Sequence, residues 1–184
     1  MKVSGSDSDG RVPALYPSAT GSSAYVLPYE RMYSEGYRAI LFDIDNTLVP
    51  HDAPADERAK ALFARLFSLG FKTCIVSNNK EKRVKSFADT VGSAYVYKAG
   101  KPFRRGYLRA MKLLGSDPGT TVLVGDQIFT DLVGANLLGI RTVLVKPIHP
   151  KEEIQIVLKR RLEFFVLFFY RNFYLKHHTP WFDI

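Results

Sequence analysis

The sequence predicts an α/β protein built on a Rossmann-like, doubly wound parallel sheet. Short, nearly continuous apolar runs alternate with amphipathic stretches along most of the chain. Continuous apolar runs are typical of strands in a parallel sheet, because helices cover both faces of such a sheet. A glycine follows each amphipathic stretch at the position where a helix commonly ends. The repeated order of strand, helix and strand therefore indicates an open sheet with helices on both sides.

Five apolar runs are predicted to be strands. They are AILFD (39–43), FKTCIVS (71–77), AYVYKA (94–99), TVLVGD (121–126) and RTVLVK (141–146). The stretches between them are predicted to be helices over residues 56–70, 81–92, 103–115 and 131–139. In an open α/β sheet, ligands bind beyond the carboxyl ends of the strands, where the strand order reverses. Polar residues that directly follow these strands are therefore the first candidates for a functional site.

The chain of 184 residues is predicted to form one core with a tail at each end. Residues 1–24 are rich in Ser and Gly and are expected to be a flexible arm, residues 25–150 form the core, and residues 151–184 form a basic and aromatic helical tail. Cys74 is the single cysteine, which rules out an intrachain disulfide framework and a cysteine metal cluster. This cysteine count favours the cytoplasm or another reducing compartment.

The positive charge of the chain is concentrated in one segment. Ten basic and two acidic residues lie between Lys80 and Lys112, so this segment carries the whole net charge of +8. A basic region of this kind suits an anionic partner such as a phosphate ester, an anionic lipid surface or nucleic acid. A solvated helix face is the alternative interpretation.

Asp43 and Asp45 follow the first predicted strand, in the stretch AILFDIDNTLVP (39–50). Their side chains share one side if the backbone stays extended, because side chains alternate along a strand. In phosphoryl transfer, Asp43 would attack phosphorus to form an aspartyl-phosphate, and Asp45 would protonate the leaving oxygen and then deprotonate water. Two aspartates this close together can also cap a turn, which is the alternative interpretation of a lone D-x-D.

The ends of the other strands supply the remaining candidates. Two neighbouring carboxylates need a cation, and an oxygen-only set suits Mg²⁺ rather than zinc. Asp126 is the candidate metal ligand from a second strand end, and Asp131 is either close to the metal or an N-cap, with Thr130 as the alternative cap. The charge on a transferring phosphoryl group also calls for donors and a fixed cation, for which the candidates are Ser77, Asn78 and Lys101.

These motifs resemble those of the haloacid dehalogenase-like (HAD) phosphatases in order and approximate spacing. They are D-x-D-x-T with Asp43, Asp45 and Thr47, the strand-end Ser77, the Lys101-Pro102 pair, and G-D-x-x-x-x-D with Gly125, Asp126 and Asp131. The resemblance covers residues 37–147 and implies a Rossmann-like core, with Asp43 as nucleophile and Asp45 as acid and base. It also implies Mg²⁺ held by Asp43, Asp126 and the backbone carbonyl of Asp45. The residues expected on the phosphate are Thr47, Ser77, Asn78 and Lys101, and those expected just outside the metal ligands are Gln127 and Asp131.

The segments LFDIDNTL, VSNN, KP and GDQ resemble the motif sequences of the capless subfamily IIIA branch of YqeG-type phosphatases. That branch is similar to phosphatidylglycerophosphate phosphatases, which implies a phospholipid monoester as substrate. Only 33 residues separate Asp43 from Ser77, and 23 separate Ser77 from Lys101, which leaves no room for a cap domain. An open site of this kind suits a large or membrane-bound substrate.

The C-terminal tail also bears on whether the substrate is membrane-bound. Phe164 to Tyr170 is an apolar and aromatic run with basic residues on both sides, which is typical of a helix lying on an anionic lipid surface. Packing of residues 152–176 on the core or on a second subunit is the alternative, so peripheral membrane contact and oligomer formation both stay open. The predicted function is a Mg²⁺-dependent phosphomonoester hydrolase. The alternatives are a phosphatase of nucleic-acid ends or other phosphorylated metabolites, although nucleic acid is not the expected partner, and a binding module without catalysis.

Overall fold

The structure is a computed structural model that describes residues 13–149, 154–176 and 178–184. Its centre is a six-stranded parallel sheet with the order β1-β6-β5-β2-β3-β4. The strands are β1 (Ala19–Gly21), β2 (Ala39–Phe42), β3 (Lys72–Val76), β4 (Ala94–Val96), β5 (Thr121–Gly125) and β6 (Arg141–Val145). All five predicted strands are present, and none of their ends differs from the prediction by more than three residues. The predicted fold class is confirmed.

Helices cover both faces of this sheet. They are α1 (Tyr29–Ser34), α2 (Glu57–Leu69), α3 (Glu81–Val91), α4 (Arg105–Leu114), α5 (Val133–Asn136) and α6 (Ile154–Phe169). Five-residue π-helical turns lie before α5 (Ile128–Leu132) and after α6 (Tyr170–Tyr174). None of the helices in the described part of the chain is long and apolar enough to cross a bilayer.

The two faces of the sheet bury separate apolar cores, because side chains alternate along each strand. Ile40 and Phe42 of β2 belong to the core that includes buried residues of α1, α2 and α3. Ala39 and Leu41 of the same strand belong to the core that includes buried residues of α4 and α5. Burial on both faces explains why the strands appear in the sequence as continuous apolar runs.

The strand order reverses between β2 and β5, which lie side by side at the middle of the sheet. From β2 the chain builds β3 and β4 on one side, and it then returns to add β5 and β6 on the other. Asp43 directly follows β2 and Asp126 directly follows β5, so both carboxylates flank the point of reversal. This is the place where open α/β sheets bind their ligands.

The expected flexible arm over residues 1–24 is wrong for its second half. Residues 19–21 form the edge strand β1, which pairs with β6, and Ala24 is fully buried. The hydrogen-bonding partner of this strand is more than a hundred residues away in sequence, so local composition does not reveal the pairing. Residues 1–12 lie outside the described residues.

The helical tail expected over residues 151–184 is helical only in part. Its last residues run beside β1, where Ser22 N donates to Ile184 O at 2.6 Å and Ile184 N donates to Thr20 O at 3.2 Å. Phe182 is buried, and the ring of Trp181 packs 4.9 Å from that of Tyr37. The chain after α6 is therefore fastened back onto the edge of the sheet.

Candidate active site

The segments that follow β2, β3, β4 and β5 meet in one open pocket of about 140 Å³. Seven of the nine site residues predicted from the sequence line it: Asp43, Asp45, Ser77, Asn78, Lys101, Gln127 and Asp131. These residues come from four separate stretches of the chain. The parallel sheet brings them together because it places all its carboxyl ends along one edge.

Lys101 lies at the centre of the charged network in this pocket. Its Nζ donates to Asp43 Oδ1 and to Asp131 Oδ1, at 2.6 Å in each case, and all three residues are buried. Burial opposes the charge of the ammonium group, but the carboxylates of Asp131 and Asp43 outweigh it and raise the pKa of Lys101. Burial also raises the pKa of Asp43 to about 7, although the Lys101 charge acts to lower it. The lysine is thus held as a cation between two carboxyl groups.

Asp126 completes a group of three buried carboxyl groups with Asp43 and Asp131. One oxygen of each lies within 4.8 Å of the other two. When all three are ionised, Lys101 balances only one of the three negative charges, and the remaining two match the charge of a divalent cation. A set made only of oxygen atoms is the kind that Mg²⁺ prefers. The residues present therefore fit a Mg²⁺ ion, in agreement with the predicted ligand type.

Asp45 lines the same pocket as Asp43 but has different partners. Its Oδ1 accepts hydrogen bonds from Arg83 Nη2 at 3.0 Å and from Asp52 N at 2.9 Å, and its Oδ2 accepts one from Asn79 Nδ2. The two side chains are similarly exposed, at 12% for Asp43 and 13% for Asp45. The aspartates therefore differ in their partners, since the first is paired with a lysine and the second with an arginine.

The turn between these elements explains how the two aspartates reach one pocket. After β2 the chain folds back sharply, with Leu48 N donating to Ile44 O at 2.8 Å and Asn46 N donating to Val49 O at 2.7 Å. Asn46 sits in the left-handed region with φ at 63°, a conformation that asparagine tolerates better than most residues. The D-x-D-N-T sequence thus supplies both the two carboxylates and an asparagine suited to the turn.

Ser77 and Asn78 follow β3, where the sequence predicted phosphate donors. The Asn78 side chain is bonded to both backbone groups of Lys101, accepting from its N–H at 2.8 Å and donating to its carbonyl at 3.1 Å. Ser77 Oγ is buried and accepts from Asn79 N at 3.2 Å. Asn78 therefore fixes the backbone of Lys101, a role that its position in the sequence did not indicate.

Thr47 and Gln127 have positions that the sequence did not anticipate. Thr47 was expected on the phosphate, but its buried hydroxyl donates to Asp126 Oδ1 at 3.2 Å, beside the candidate metal ligand. Gln127 lines the pocket, and its Oε1 accepts from Thr130 Oγ1 at 3.0 Å. Asp131 is not an N-cap of a helix at 131; it lies inside the π-helical turn, and its Oδ2 accepts from Gln127 N at 3.1 Å.

Close packing fixes the segment that carries Asp131. A Cβ on Gly125 would lie 2.7 Å from the Cβ of Asp131, so a larger residue there would displace the carboxylate. A Cβ on Gly134 would lie 1.8 Å from the backbone oxygen of Pro102, next to Lys101. The buried Tyr107 hydroxyl donates to the carbonyl of Asp131 at 2.8 Å. The network around Lys101 is therefore held by glycines and a tyrosine outside the pocket.

Five further residues reach the pocket or its edge without having been predicted as site residues: Asn46, His51, Asn79, Arg83 and Thr130. His51 lines the pocket from the loop after β2, while Asn79 and Arg83 hold Asp45. The available signal was position, because Asn79 directly follows the predicted Asn78 and Arg83 lies in the first turn of the next helix. Most of the basic segment from Lys80 to Lys112 lies elsewhere on the surface, so its charge is not gathered in the pocket.

A phosphate ester requires a cation for its oxygens and a nucleophile beside it, and this pocket offers Lys101, a fitting metal set and the carboxylate of Asp43 on one rim. The fold and the site therefore define a phosphatase. Residues 98–153 match the family model described as HAD-hydrolase-like.

Comparison with curated proteins agrees with this class. The chain is 34% identical over 153 residues to the probable phosphatase YqeG of Bacillus subtilis, covering 83% of this chain and 87% of that protein. The chain therefore belongs to the HAD-like phosphatase family.

Two further similarities are more distant. Over 165 residues the chain is 28% identical to phosphatidylglycerophosphate phosphatase 1, chloroplastic/mitochondrial, of Arabidopsis thaliana, covering 83% of this chain but only 47% of that protein. Among solved structures, a HAD phosphatase from Thermococcus onnurineus matches 68% of this chain and 97% of its own, with a TM-score of 0.45 and 16% sequence identity.

Proposed function

We propose that the protein hydrolyses a phosphomonoester with the help of Mg²⁺ and through an aspartyl-phosphate on Asp43. The observation that carries this proposal is the buried network in which Lys101 bonds to Asp43 and Asp131, with Asp126 completing an oxygen-only set. Burial of such a network costs stability, since each charge must be compensated inside the protein. Buried charged groups of this kind are therefore typical of functional sites. Bound Mg²⁺, held by Asp43, Asp126 and the backbone carbonyl of Asp45, would offset negative charge on the phosphoryl oxygens.

The proposed reaction has two steps. In the first, a carboxylate oxygen of Asp43 bonds to phosphorus while the bond from phosphorus to the alcohol oxygen breaks, and Asp45 gives a proton to that oxygen. In the second, Asp45 takes a proton from water, whose oxygen attacks phosphorus and displaces the Asp43 carboxylate, releasing inorganic phosphate. Lys101, the Ser77 hydroxyl and the backbone N–H of Asn78 would bind the phosphoryl oxygens in both steps.

Roles for Asp43 and Asp45 can be separated experimentally. Purified protein is incubated with a soluble aryl phosphate, with and without Mg²⁺, and phosphate release is measured for wild type, Asp43→Asn and Asp45→Asn. We expect release to require Mg²⁺ and to vanish in both variants. Trapping of a phosphorylated protein after acid quench, absent in Asp43→Asn, tests the intermediate. Turnover by Asp43→Asn at the wild-type rate would overturn the proposal.

The substrate that we propose is a phospholipid whose head group ends in a phosphomonoester, such as phosphatidylglycerophosphate. Support comes from the name of the Arabidopsis relative and from the open pocket, which no inserted domain covers within the described residues. The chain between Asp43 and Ser77 is used for a turn, α2 and β3 alone. An uncovered pocket admits a head group presented at a lipid surface.

A substrate panel tests this choice. Release of phosphate is measured from phosphatidylglycerophosphate in mixed micelles, from glycerol 3-phosphate and sugar phosphates, from nucleotides, and from 5′- or 3′-phosphorylated oligonucleotides. We expect the lipid to have the highest kcat/KM. Preference for oligonucleotide ends, with a steep loss of activity in salt, would favour the alternative of a nucleic-acid phosphatase. Binding of phosphate esters without any turnover would favour a binding module.

A further inference from the structure

Helix α6 and the turn after it expose an unusual amount of apolar surface. Six large side chains on its outward face are between 48% and 66% exposed: Leu162, Phe164, Phe165, Phe168, Phe169 and Phe173. Several of their rings touch one another, such as Phe169 and Phe173 with centroids 5.6 Å apart. An exposed aromatic patch of this kind marks an interaction surface rather than a solvated helix. We propose that this outward face docks on an anionic lipid bilayer.

The charges of the helix favour an anionic surface. Residues 154–176 contain five basic residues and one acidic residue, Glu163. Glu163 is buried and turned inward, where its Oε1 accepts from Phe129 N at 3.3 Å. Lys176, in contrast, is exposed, and its Nζ lies 5.8 Å from the centroid of the Phe173 ring on the outward face. The aromatic face is therefore accompanied by positive charge and not by the one negative charge of the segment, as on helices that lie at anionic membrane interfaces.

An apolar pocket opens beside the same face. It measures about 370 Å³, and its lining residues are Leu15, Tyr16, Phe129, Leu162, Phe165, Val166 and Phe169. Three of these residues also belong to the outward face, so pocket and face are continuous. A flat protein partner would leave this space empty, whereas a hydrocarbon chain can enter and fill it.

Contacts of α6 connect its outward face to the active site. Glu163 binds the backbone of Phe129, which lies in the same π-helical turn as Asp131. On the other side of α6, a pocket of about 290 Å³ extends from Asp126 to Leu167 and Arg171. Rings of Tyr170 and Tyr174 pack on Tyr16, which adds a second attachment. Docking through α6 would therefore hold the catalytic pocket at a fixed position relative to the bilayer.

A second copy of the chain fits this face less well. In a two-fold contact each helix meets an identical one. Parallel packing about the two-fold axis would place the exposed Lys176 of one helix beside Lys176 of the other. Glu163 is buried against its own core and is not available to balance these charges. A bilayer with acidic head groups meets no such repulsion.

Vesicle flotation tests the proposal on the full chain. The vesicles contain phosphatidylcholine alone or with about 30 mol % phosphatidylserine, which supplies surface charge. Phosphatidylserine carries no phosphomonoester, so retention on it does not depend on the catalytic pocket. We expect the protein to float with the anionic vesicles and to be released in part by high salt, because salt screens the basic residues but not the aromatic contacts.

A matched pair of variants locates the contact. The test variant carries Phe164→Ser, Phe168→Ser and Phe173→Ser. The control carries Leu108→Ser and Leu113→Ser at exposed sites on α4 and Leu137→Ser at the exposed position directly after α5. We expect the test variant to lose at least about tenfold in vesicle partitioning, since three large apolar groups no longer enter the interface. The control should bind like wild type. Hydrolysis of a soluble aryl phosphate reports that each variant is folded.

Outcomes for docking and for catalysis can be distinguished. Asp43→Asn should float like wild type although it lacks turnover, so failure of the proposed chemistry leaves the docking result standing. Absence of wild-type flotation, or full flotation by the test variant, would overturn the docking proposal. A wild-type dimer that becomes monomeric in the test variant, without vesicle binding, would assign the face to a second copy and also overturn it.

Discussion

The rim of the sheet and the outward face of α6 depart from the ordinary distribution of residues in opposite directions. At the rim, Asp43, Lys101, Asp126 and Asp131 are charged and buried. On α6, rings such as those of Phe164 and Phe168 are apolar and exposed. Folded proteins usually bury apolar groups and expose charged ones. Both regions therefore give up stability of the isolated chain, as we expect of surfaces that receive a ligand.

The two regions differ in how the protein compensates this cost. At the rim, the compensation is internal and specific, since Lys101 bonds to two carboxylates at 2.6 Å and Asn78 holds its backbone. On α6, the exposed rings contact one another, and such ring contacts are less specific than buried ion pairs. Replacement of a single residue at the rim should therefore change activity or stability. On the helix face, only the loss of several side chains together should have a large effect.

Asp43→Asn should have the largest effect. Removal of the nucleophilic charge without a change in shape is expected to lower kcat for a soluble aryl phosphate by about 10⁴-fold or more, because no other group at the pocket replaces the attacking oxygen. Steady-state kinetics measure this. Asp89→Asn, at an exposed carboxylate paired with Lys85, is the control and should keep wild-type activity. A residual rate within tenfold of wild type would remove the basis for treating the rim as catalytic.

Lys101→Met should come next, and it acts on stability. The substitution leaves Asp43 and Asp131 buried without their shared cation, which is expected to lower the free energy of unfolding by about 3–5 kcal/mol in the absence of Mg²⁺. Urea unfolding followed by circular dichroism measures the change. Lys112→Met, at an exposed position on α4, should change stability little. Equal stability of the two variants would contradict the compensating role of Lys101.

Mg²⁺ should stabilise the wild-type protein through the carboxylates of Asp43 and Asp126. At a concentration about a hundredfold above its Kd, a ligand that binds only the folded state adds about 2.7 kcal/mol. We therefore expect Tm to rise by several degrees when Mg²⁺ is added after treatment with EDTA, and we expect Asp126→Asn to abolish the rise. Differential scanning calorimetry tests both. An equal rise in wild type and in Asp126→Asn would place the bound ion elsewhere.

Arg83→Ala should have a smaller, chemical effect. Arg83 fixes Asp45 through a bond of 3.0 Å, so its loss is expected to lower kcat by about tenfold for alkyl phosphates, which need protonation of the leaving oxygen. Aryl phosphates with acidic leaving groups should be affected less, because they leave without a proton. Arg83→Lys should recover part of the activity. A uniform loss for all leaving groups would indicate a structural role instead.

The smallest effect should come from Phe168→Ser on α6. Its ring is about half exposed, so its replacement is expected to change the free energy of unfolding by no more than about 0.5 kcal/mol. Urea unfolding of Phe168→Ser and of Lys101→Met under the same conditions compares the helix face with the rim. A loss of 2 kcal/mol or more, on the order expected for a buried aromatic ring, would mean that the ring packs on the core and that the face is not open.

Much of the fold and of the site was predictable from the sequence. Apolar runs separated by amphipathic stretches located five of the six strands. The rule that ligands bind at strand ends selected Asp43, Ser77 and Asp126, and the need for a fixed cation selected Lys101. Other parts were not predictable. Strand β1 is three residues long and depends on the distant β6, and Thr47 and Asn78 have partners 79 and 23 residues away.

By itself, the sequence determined the class of fold, the strand ends that carry the candidate site residues and the oxygen-only character of the candidate metal ligands. These follow from periodicity and residue type, which act over a few neighbouring residues. The tertiary structure decided which groups touch: that Lys101 joins Asp43 to Asp131, that Arg83 holds Asp45, and that Glu163 turns inward while the rings of α6 stay outside. Such pairings arise only when the sheet aligns distant segments, because hydrogen bonds and ion pairs depend on distances of a few ångströms that local sequence does not encode.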